Sequence, residues 1–297
     1  MKKFRRWLGG LCCAALLLAL LTACGSQTPQ QVKPDADGTY SSAVFDTQND
    51  AGCLTVRYLA LKETYRANDD KVNVGDCAVY TSPEGLVMMV DCSNPASFPE
   101  IDAQLKAMGV EKIDIFVMSH PHADHIGHAR EIARYIYEEM GGDIGEYLYT
   151  GLEFKNAERA LTEYLVERAV KINRNVRAGD GMNIDGVELS IFNPTDEDVA
   201  NADLTDAGVN NTSIGMKFVF GKSTFLTSGD LYASKEIAVA EKYGEFLRAD
   251  IMKANHHTAF TSTTDEWLAA VSPKMILSLS DDSGWTLMNE KLAGMGI

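Results

Sequence analysis

The chain has 297 residues, 45% of them hydrophobic and 23% charged. That is enough for one large domain or two small ones, and it excludes disorder, collagen and coiled coil as descriptions of the whole. Lys and Arg number 27 against 42 Asp and Glu, a net charge of −15, and such a field repels polyanions, which argues against a broad groove for nucleic acid.

The first residues read as a processing segment. Lys2, Lys3, Arg5 and Arg6 are followed by an uncharged apolar run over residues 11–21, too short to span a bilayer comfortably. Leu21-Thr22-Ala23-Cys24 then resembles the lipobox of bacterial lipoproteins. The resemblance implies a signal peptide over 1–23, a lipid on Cys24 and an extracytoplasmic chain anchored to a bacterial membrane. Residues 24–52 are polar, with little to bury, and read as a flexible tether with a reach of about 25–30 Å. Cys53, Cys77 and Cys92 allow at most one disulfide, and their spacing fits no zinc-ribbon pattern, so they read as packing residues or one pair.

From residue 53 to 297 a single domain is expected, with short strands and helices alternating. Residues 54–61 are strand-like, and 77–81 and 86–90 flank the turn Ser82-Pro83-Glu84-Gly85 as a hairpin. Ser97 and Glu100 have capping-box spacing before a helix that Gly109 stops. Residues 113–118 form a buried-strand run, and helical patterns occupy 126–140 and 157–172. Strands are predicted over 182–192, 213–220, 223–227, 250–253 and 275–280, with helices near 234–245 and 264–271. Strand-rich blocks with helices outside suggest a layered α/β domain.

All 6 histidines fall in two short clusters. Ser119-His120-Pro121-His122-Ala123-Asp124-His125 follows the strand 113–118 directly. In an extended chain, side chains two apart point the same way, so His120 and His122 can grip one ion. As the chain bends into a helix, Asp124 and His125 come round the other side, and four nitrogen and oxygen ligands at one strand end can build much of a two-ion site.

The motif HxHxDH after an apolar strand resembles the metallo-β-lactamase fold superfamily. Asp91 after the strand 86–90 matches the aspartate that supports the metal loop. Thr227-Ser228-Gly229-Asp230 is similar to the motif whose aspartate bridges two ions, and Asn255-His256-His257 to the last ligand motif. Asn73-Val74-Gly75-Asp76-Cys77-Ala78-Val79-Tyr80 and Asn210-Asn211-Thr212-Ser213 resemble the hydrolase domain of competence DNA-uptake (ComEC-like) proteins, and phosphorylcholine esterases are similar too. The resemblance implies a four-layer αββα sandwich. The chain stops at Gly296-Ile297, where another strand is expected, so the fold is expected to lack its C-terminal end.

Other implications concern the chemistry. His120 and His122 are expected to hold one ion, and His125, Asp124 and one of His256 and His257 the other, with Asp230 bridging. The two divalent ions are expected to be Zn²⁺, with Mn²⁺ or Fe as alternatives, and a hydroxide they share attacks a phosphodiester. Asp124, His128 and His257 are the catalytic candidates, His128 or the second member of the His pair giving a proton to the leaving group. The superfamily often has a further histidine between the first motif and the bridging aspartate. Here none stands between His128 and His256, and Asn211 or His128 is the candidate replacement.

The expected partners are a small or polymeric phosphoester and the membrane, without stable nucleic-acid binding, and the oligomeric state is left open. Tyr135, Tyr137, Tyr147 and Tyr149 form either an aromatic cage for a choline-bearing substrate or part of the core. A β-lactamase-type amide hydrolase, and a surface lipoprotein that binds a ligand through a degenerate metal site, stand as the competing readings.

Overall fold

The computed structural model describes residues 46–59, 61, 75–279 and 290–295. The expected signal peptide, Cys24, the tether up to residue 45, and the end of the chain where another strand was expected lie outside them.

The described chain runs β1 (Thr55–Tyr58), β2 (Ala78–Thr81), β3 (Val87–Val90), α1 (Phe98–Ala107), β4 (Ile113–Val117), α2 (Ala123–Ile126), α3 (Ala129–Arg134), β5 (Ile144–Leu148), α4 (Ala157–Val166) and β6 (Lys171–Asn173). It continues with β7 (Gly181–Ile184), β8 (Val187–Asn193), α5 (Asp196–Ala200), α6 (Asp206–Asn210), β9 (Gly215–Phe220), β10 (Ser223–Thr227), α7 (Ala233–Tyr243), β11 (Ile251–Lys253), α8 (Asp265–Val271) and β12 (Met275–Leu277). Among the described residues the strands form two six-stranded sheets, β1-β2-β3-β4-β5-β6 and β12-β11-β10-β9-β8-β7. Each sheet is antiparallel at one side, through β1–β3 and β7–β10, and parallel at the other.

The strands alternate, and that alternation builds the layers. Tyr80, Met88, Val90, Ile115 and Val117 of the first sheet meet Leu189, Ile191, Met216, Phe218 and Phe225 of the second in one apolar cluster. Tyr80 stacks on Phe218 with ring centroids 5.0 Å apart. The opposite faces carry helices. Leu226 and Met252 pack with Val239 of α7 and with Trp267, Leu268 and Val271 of α8. On the first sheet Met89, Phe116 and Tyr147 are fully buried, as are Ile101 and Leu105 of α1, Ile132 of α3 and Leu161 of α4. This is the four-layer αββα arrangement, held by side chains two apart facing opposite layers.

Several local expectations are corrected. Residues 126–140 do not form one helix: α2 ends before Gly127-His128, and α3 passes into a π-helical turn, Tyr135–Glu139. The helix expected to reach 172 ends at Val166, where Ala169 takes a left-handed φ of 58° and the chain enters β6. The strand expected over 182–192 is a hairpin, because Asp185 and Gly186 have φ of 52° and 85° and make a two-residue turn. Ser97 makes no side-chain capping bond; its hydroxyl faces Ser93 Oγ at 3.1 Å. Residues 46–52, read as the end of the tether, are tied to the sheet: Arg57 donates twice to Asp50 at 2.7 Å, and Gly52 N donates to the Pro83 carbonyl at 2.9 Å.

The three described cysteines are free. The tyrosines form no cage: Tyr147 and Tyr149 stack at 5.0 Å, Tyr135 packs on Phe98 and Tyr137 on Tyr164. Among the described residues no helix is long and apolar enough to cross a membrane.

Candidate metal centre

Topology brings the histidine clusters together. β3 and β4 run parallel, with Val90 beside Val117, so Asp91 and Ser119-His120 leave the sheet at the same edge. β2 runs antiparallel to β3 with Ala78 beside Val90, which puts Asp76 at that edge too. From the second sheet, parallel β10 and β11 deliver Ser228-Gly229-Asp230 and Asn255-His256-His257. One bond joins the sheets here, from Ile214 N to the Ser119 carbonyl at 2.9 Å, and within the second sheet Asp230 N donates to Ser213 Oγ at 3.1 Å.

Two glycines allow the close approach. A Cβ on Gly75 would lie 1.6 Å from the Asp124 carbonyl oxygen, so only glycine lets the Asp76 loop touch the HxHxDH loop. Gly229 has a φ of +54°, and its missing side chain leaves room for the Ser213 and Ser119 hydroxyls.

Asp91 anchors the loop. It accepts from Ser119 N and Ser119 Oγ, each at 2.7 Å, and lies 2.8 Å from His125 Nδ1. That contact fixes the ring of His125, so its Nε2 faces Asp230 Oδ2 at 3.0 Å. A carboxylate behind a histidine is how metal-ligating imidazoles are oriented. Asp230 Oδ2 is also 3.2 Å from His257 Nε2 and 4.0 Å from His120 Nε2, and is thus the centre of the cluster. His120 Nε2 and His122 Nδ1 lie 3.1 Å apart. His257 reaches Asp124 Oδ2 at 3.5 Å with Nε2 and Asp76 Oδ1 at 3.0 Å with Nδ1.

The structure therefore gathers His120, His122, Asp124, His125, Asp230 and His257. Two candidates stand elsewhere. The His256 ring packs on Tyr232 at 4.8 Å and its Nδ1 bonds Thr261 Oγ1, while His257, with a similar left-handed backbone, reaches Asp230. His128 begins α3; its ring lies on Phe98 at 5.3 Å and 3.8 Å from Glu131, so no described contact gives it the expected acid role. Asn211, the other candidate for the missing histidine, accepts from Tyr232 N at 3.2 Å through its Oδ1. Ser213 supports His120 from the other side of the ring, its Oγ 3.2 Å from His120 Nδ1.

Two residues given no role in the sequence reading complete the cluster. Asp76 lay inside the quoted motif 73–80, and Lys253 ends the strand run before the double histidine. The Lys253 side chain is fully buried. Its ammonium pairs with Asp76, donates to the Gly229 carbonyl at 3.0 Å, and lies 3.5 Å from Asp230 Oδ1. The signal for it was a lysine in an apolar strand, a place that demands a buried partner.

The electrostatics follow from this packing. Burial pushes Asp76 up, but Lys253 and His257 overcome it and hold the carboxyl at about 2. Burial opposes charge on His125 and His257, yet Asp230 with Asp91 or Asp76 keeps both protonated well above the ordinary 6.5. His120, buried and facing His125, is held well below 6.5. Burial likewise lowers His122.

A divalent cation fits this donor set. One ligand atom each from Asp76, His125, Asp230 and His257 lies within 4.8 Å of all the others. His122 Nε2 is buried without a hydrogen-bond partner, and Asp76 Oδ1 and both ring nitrogens of His257 have charged neighbours but no well-aligned hydrogen bond. Buried polar atoms left so are costly, and a metal satisfies them. The donors are nitrogen and oxygen throughout; burial keeps the Cys77 and Cys92 thiols neutral, and Cys92 Sγ donates to the His125 carbonyl.

Residues 71–274 match the sequence model of the Metallo-beta-lactamase superfamily. ComE operon protein 3 of Bacillus subtilis (strain 168) is 24% identical over 57% of this chain and 20% of its own length. Competence protein ComA of Neisseria gonorrhoeae is 25% identical over 73% of this chain and 28% of its own. The chain thus spans between a fifth and three tenths of the length of these curated relatives. Among solved structures, a diphosphatase from the PhnP family is 17% identical with a TM-score of 0.43, covering 75% of this chain and 83% of that one.

Proposed function

The chain belongs to the metallo-beta-lactamase superfamily, and from that premise we propose that it is a metal-dependent phosphoesterase, acting on phosphodiesters outside the cytoplasm from a lipid anchor on Cys24. The observation that carries the reading is the convergence of Asp76, His125, Asp230 and His257 ligand atoms within 4.8 Å. His120, His125 and His257 each bring Nε2 within 4.0 Å of Asp230 Oδ2, and His122 Nδ1 lies 3.1 Å from His120 Nε2, a donor set large enough for two ions.

Divalent cations bound here would acidify a water toward neutral pH and neutralise charge on the reacting oxygens. The chain's own residues do the rest. His120 and His122 would hold one ion; His125, His257 and Asp124 would hold the other. Asp91 keeps the His125 ring in place. Lys253 balances the carboxylates of Asp76 and Asp230, leaving Asp230 Oδ2 turned to the histidines.

The resemblance to competence proteins supports phosphoester chemistry. The charge of −15 favours small diesters over long polyanions. The test is metal content together with turnover of bis(p-nitrophenyl) phosphate by the purified full chain. Two ions per chain, with turnover lost to a chelator and regained with zinc, are expected. One ion or none, with no turnover on any phosphoester, would leave a ligand-binding lipoprotein as the reading; turnover of a β-lactam alone would make it an amide hydrolase. For the anchor, Cys24→Ala is expected to move the chain from the membrane fraction into the soluble one.

A further inference from the structure

Behind the two ligand loops of the second sheet runs a buried chain of polar side chains. Ser228 Oγ donates to Asn255 Oδ1 at 2.6 Å, and Asn255 Nδ2 donates to Glu236 Oε1 at 2.6 Å. The same carboxylate accepts from Thr263 N at 2.7 Å and from Thr264 N at 2.8 Å. Ser228, Asn255 and Glu236 are each 0% exposed. Glu236 lies on α7, and these partners, not the ligand side chains, satisfy it.

A buried carboxylate is costly unless donors meet its oxygens, so a glutamate kept here needs a reason. The backbone supplies one. His256, His257 and Thr258 have φ of 46°, 50° and 66°, three consecutive non-glycine residues in the left-handed region. Such backbone persists only where the surroundings over-determine it. Glu236 grips both ends of this strained loop, Asn255 before it and Thr263-Thr264 after it. Through Asn255 it also reaches Ser228, two residues before Asp230.

We propose that Glu236 is a positioning residue of the metal centre, clamping loop 255–264 and the Ser228 turn so that His257 and Asp230 present their ligand atoms together. The inference rests on the reading that His257 and Asp230 hold metal. It adds a residue far from the histidine motifs, acting through hydrogen bonds alone.

Two measurements on the full chain separate the two ideas. In metal-free protein, Glu236→Gln turns a donor toward amides that need an acceptor. Deuterium exchange over residues 254–264 and 228–231 is expected to rise at least about tenfold, with circular dichroism unchanged. In metal-loaded protein, zinc affinity measured against a competing chelator is expected to fall about 10–100-fold, the usual loss when a ligand's support is removed. Glu241→Gln, at an exposed site on the same helix, is expected to change neither.

The pair Glu236→Gln with Asn255→Asp reverses the central hydrogen bond and is expected to recover part of the affinity. Wild-type exchange and affinity in Glu236→Gln would overturn the clamp, as would a pair no better than the single variant. A wild-type chain that binds no zinc would retire the metal reading, while exchange would still decide whether Glu236 holds the loop.

Discussion

Lys253 and Asp76 form an ion pair in the protein interior, the lysine side chain fully buried and the aspartate 6% exposed. The pair joins β11 of one sheet to the start of β2 in the other. It places a fixed positive charge against a cluster of carboxylates. Burial alone would lower the Lys253 pKa, but Asp76 and Asp230 raise it, so the charge persists.

Lys253→Met is therefore expected to strand two buried carboxylates. Removing one partner of a buried pair costs about 3–5 kcal/mol. Urea denaturation of the metal-free variant should show a loss of that size, and added zinc should recover part of it by supplying positive charge. An unchanged midpoint would mean that the pair contributes nothing.

Asp230→Asn is expected to abolish diester turnover and reduce the bound metal while the fold survives, because Asp230 Oδ2 faces His120, His125 and His257 at once. Asp124→Ala is expected to abolish turnover too. Metal analysis, turnover and circular dichroism on the same preparations check both.

Gly75→Ala is expected to push the HxHxDH loop outward, since the new Cβ would meet backbone that cannot yield. Overpacking of this kind costs about 1–3 kcal/mol or more. The melting temperature and the zinc content should fall together.

The metal-free protein is expected to lose stability at both ends of the pH scale. His125 and His257 have raised folded pKa values, so their contribution is fully present below the ordinary 6.5 and is lost as pH rises through the folded values. Asp76 is lowered from 3.8 to about 2, so its contribution is present above 3.8 and lost as pH falls toward 2. His120, held neutral, works the other way from the first two and weakens the fold below 6.5. Denaturation of the chelator-treated chain between pH 3 and 9, compared with His257→Gln, measures the histidine part; the variant should lack much of the alkaline loss. Zinc affinity should rise with pH, because the ion displaces protons from His125 and His257.

Much of the fold was legible because strands and amphipathic helices carry their period in the sequence. Residues 223–227 and 113–118 are found within a residue of where they were expected. The hairpin at Asp185-Gly186 was missed because strand-like residues, Met182 and Ile184 before it and Val187, Leu189 and Ile191 after it, stand on both sides and only the turn pair separates them. β6 was missed because Lys171, Ile172 and Asn173 carry no strand signal alone and gain their place by pairing with β5. The divided helix at Gly127-His128 was hidden because its apolar spacing continues through the break.

In the candidate site, the HxHxDH loop could be read because its ligands are neighbours in sequence and one strand end presents them together. The SGD and double-histidine motifs were readable only through family resemblance, since nothing local shows that residues 230 and 257 meet residue 125.

Sequence alone determined the alternating layers, the clustering of six histidines and the absence of thiolate among the ligand motifs, since these depend on periodicity and on residue chemistry within a few positions. Tertiary structure alone decided that His257 turns inward and His256 outward, that Lys253 and Asp76 share the interior, and that Glu236 holds a loop on another element. Those outcomes depend on backbone dihedrals and on charges brought together across more than a hundred residues, and neither is written in any short stretch of chain.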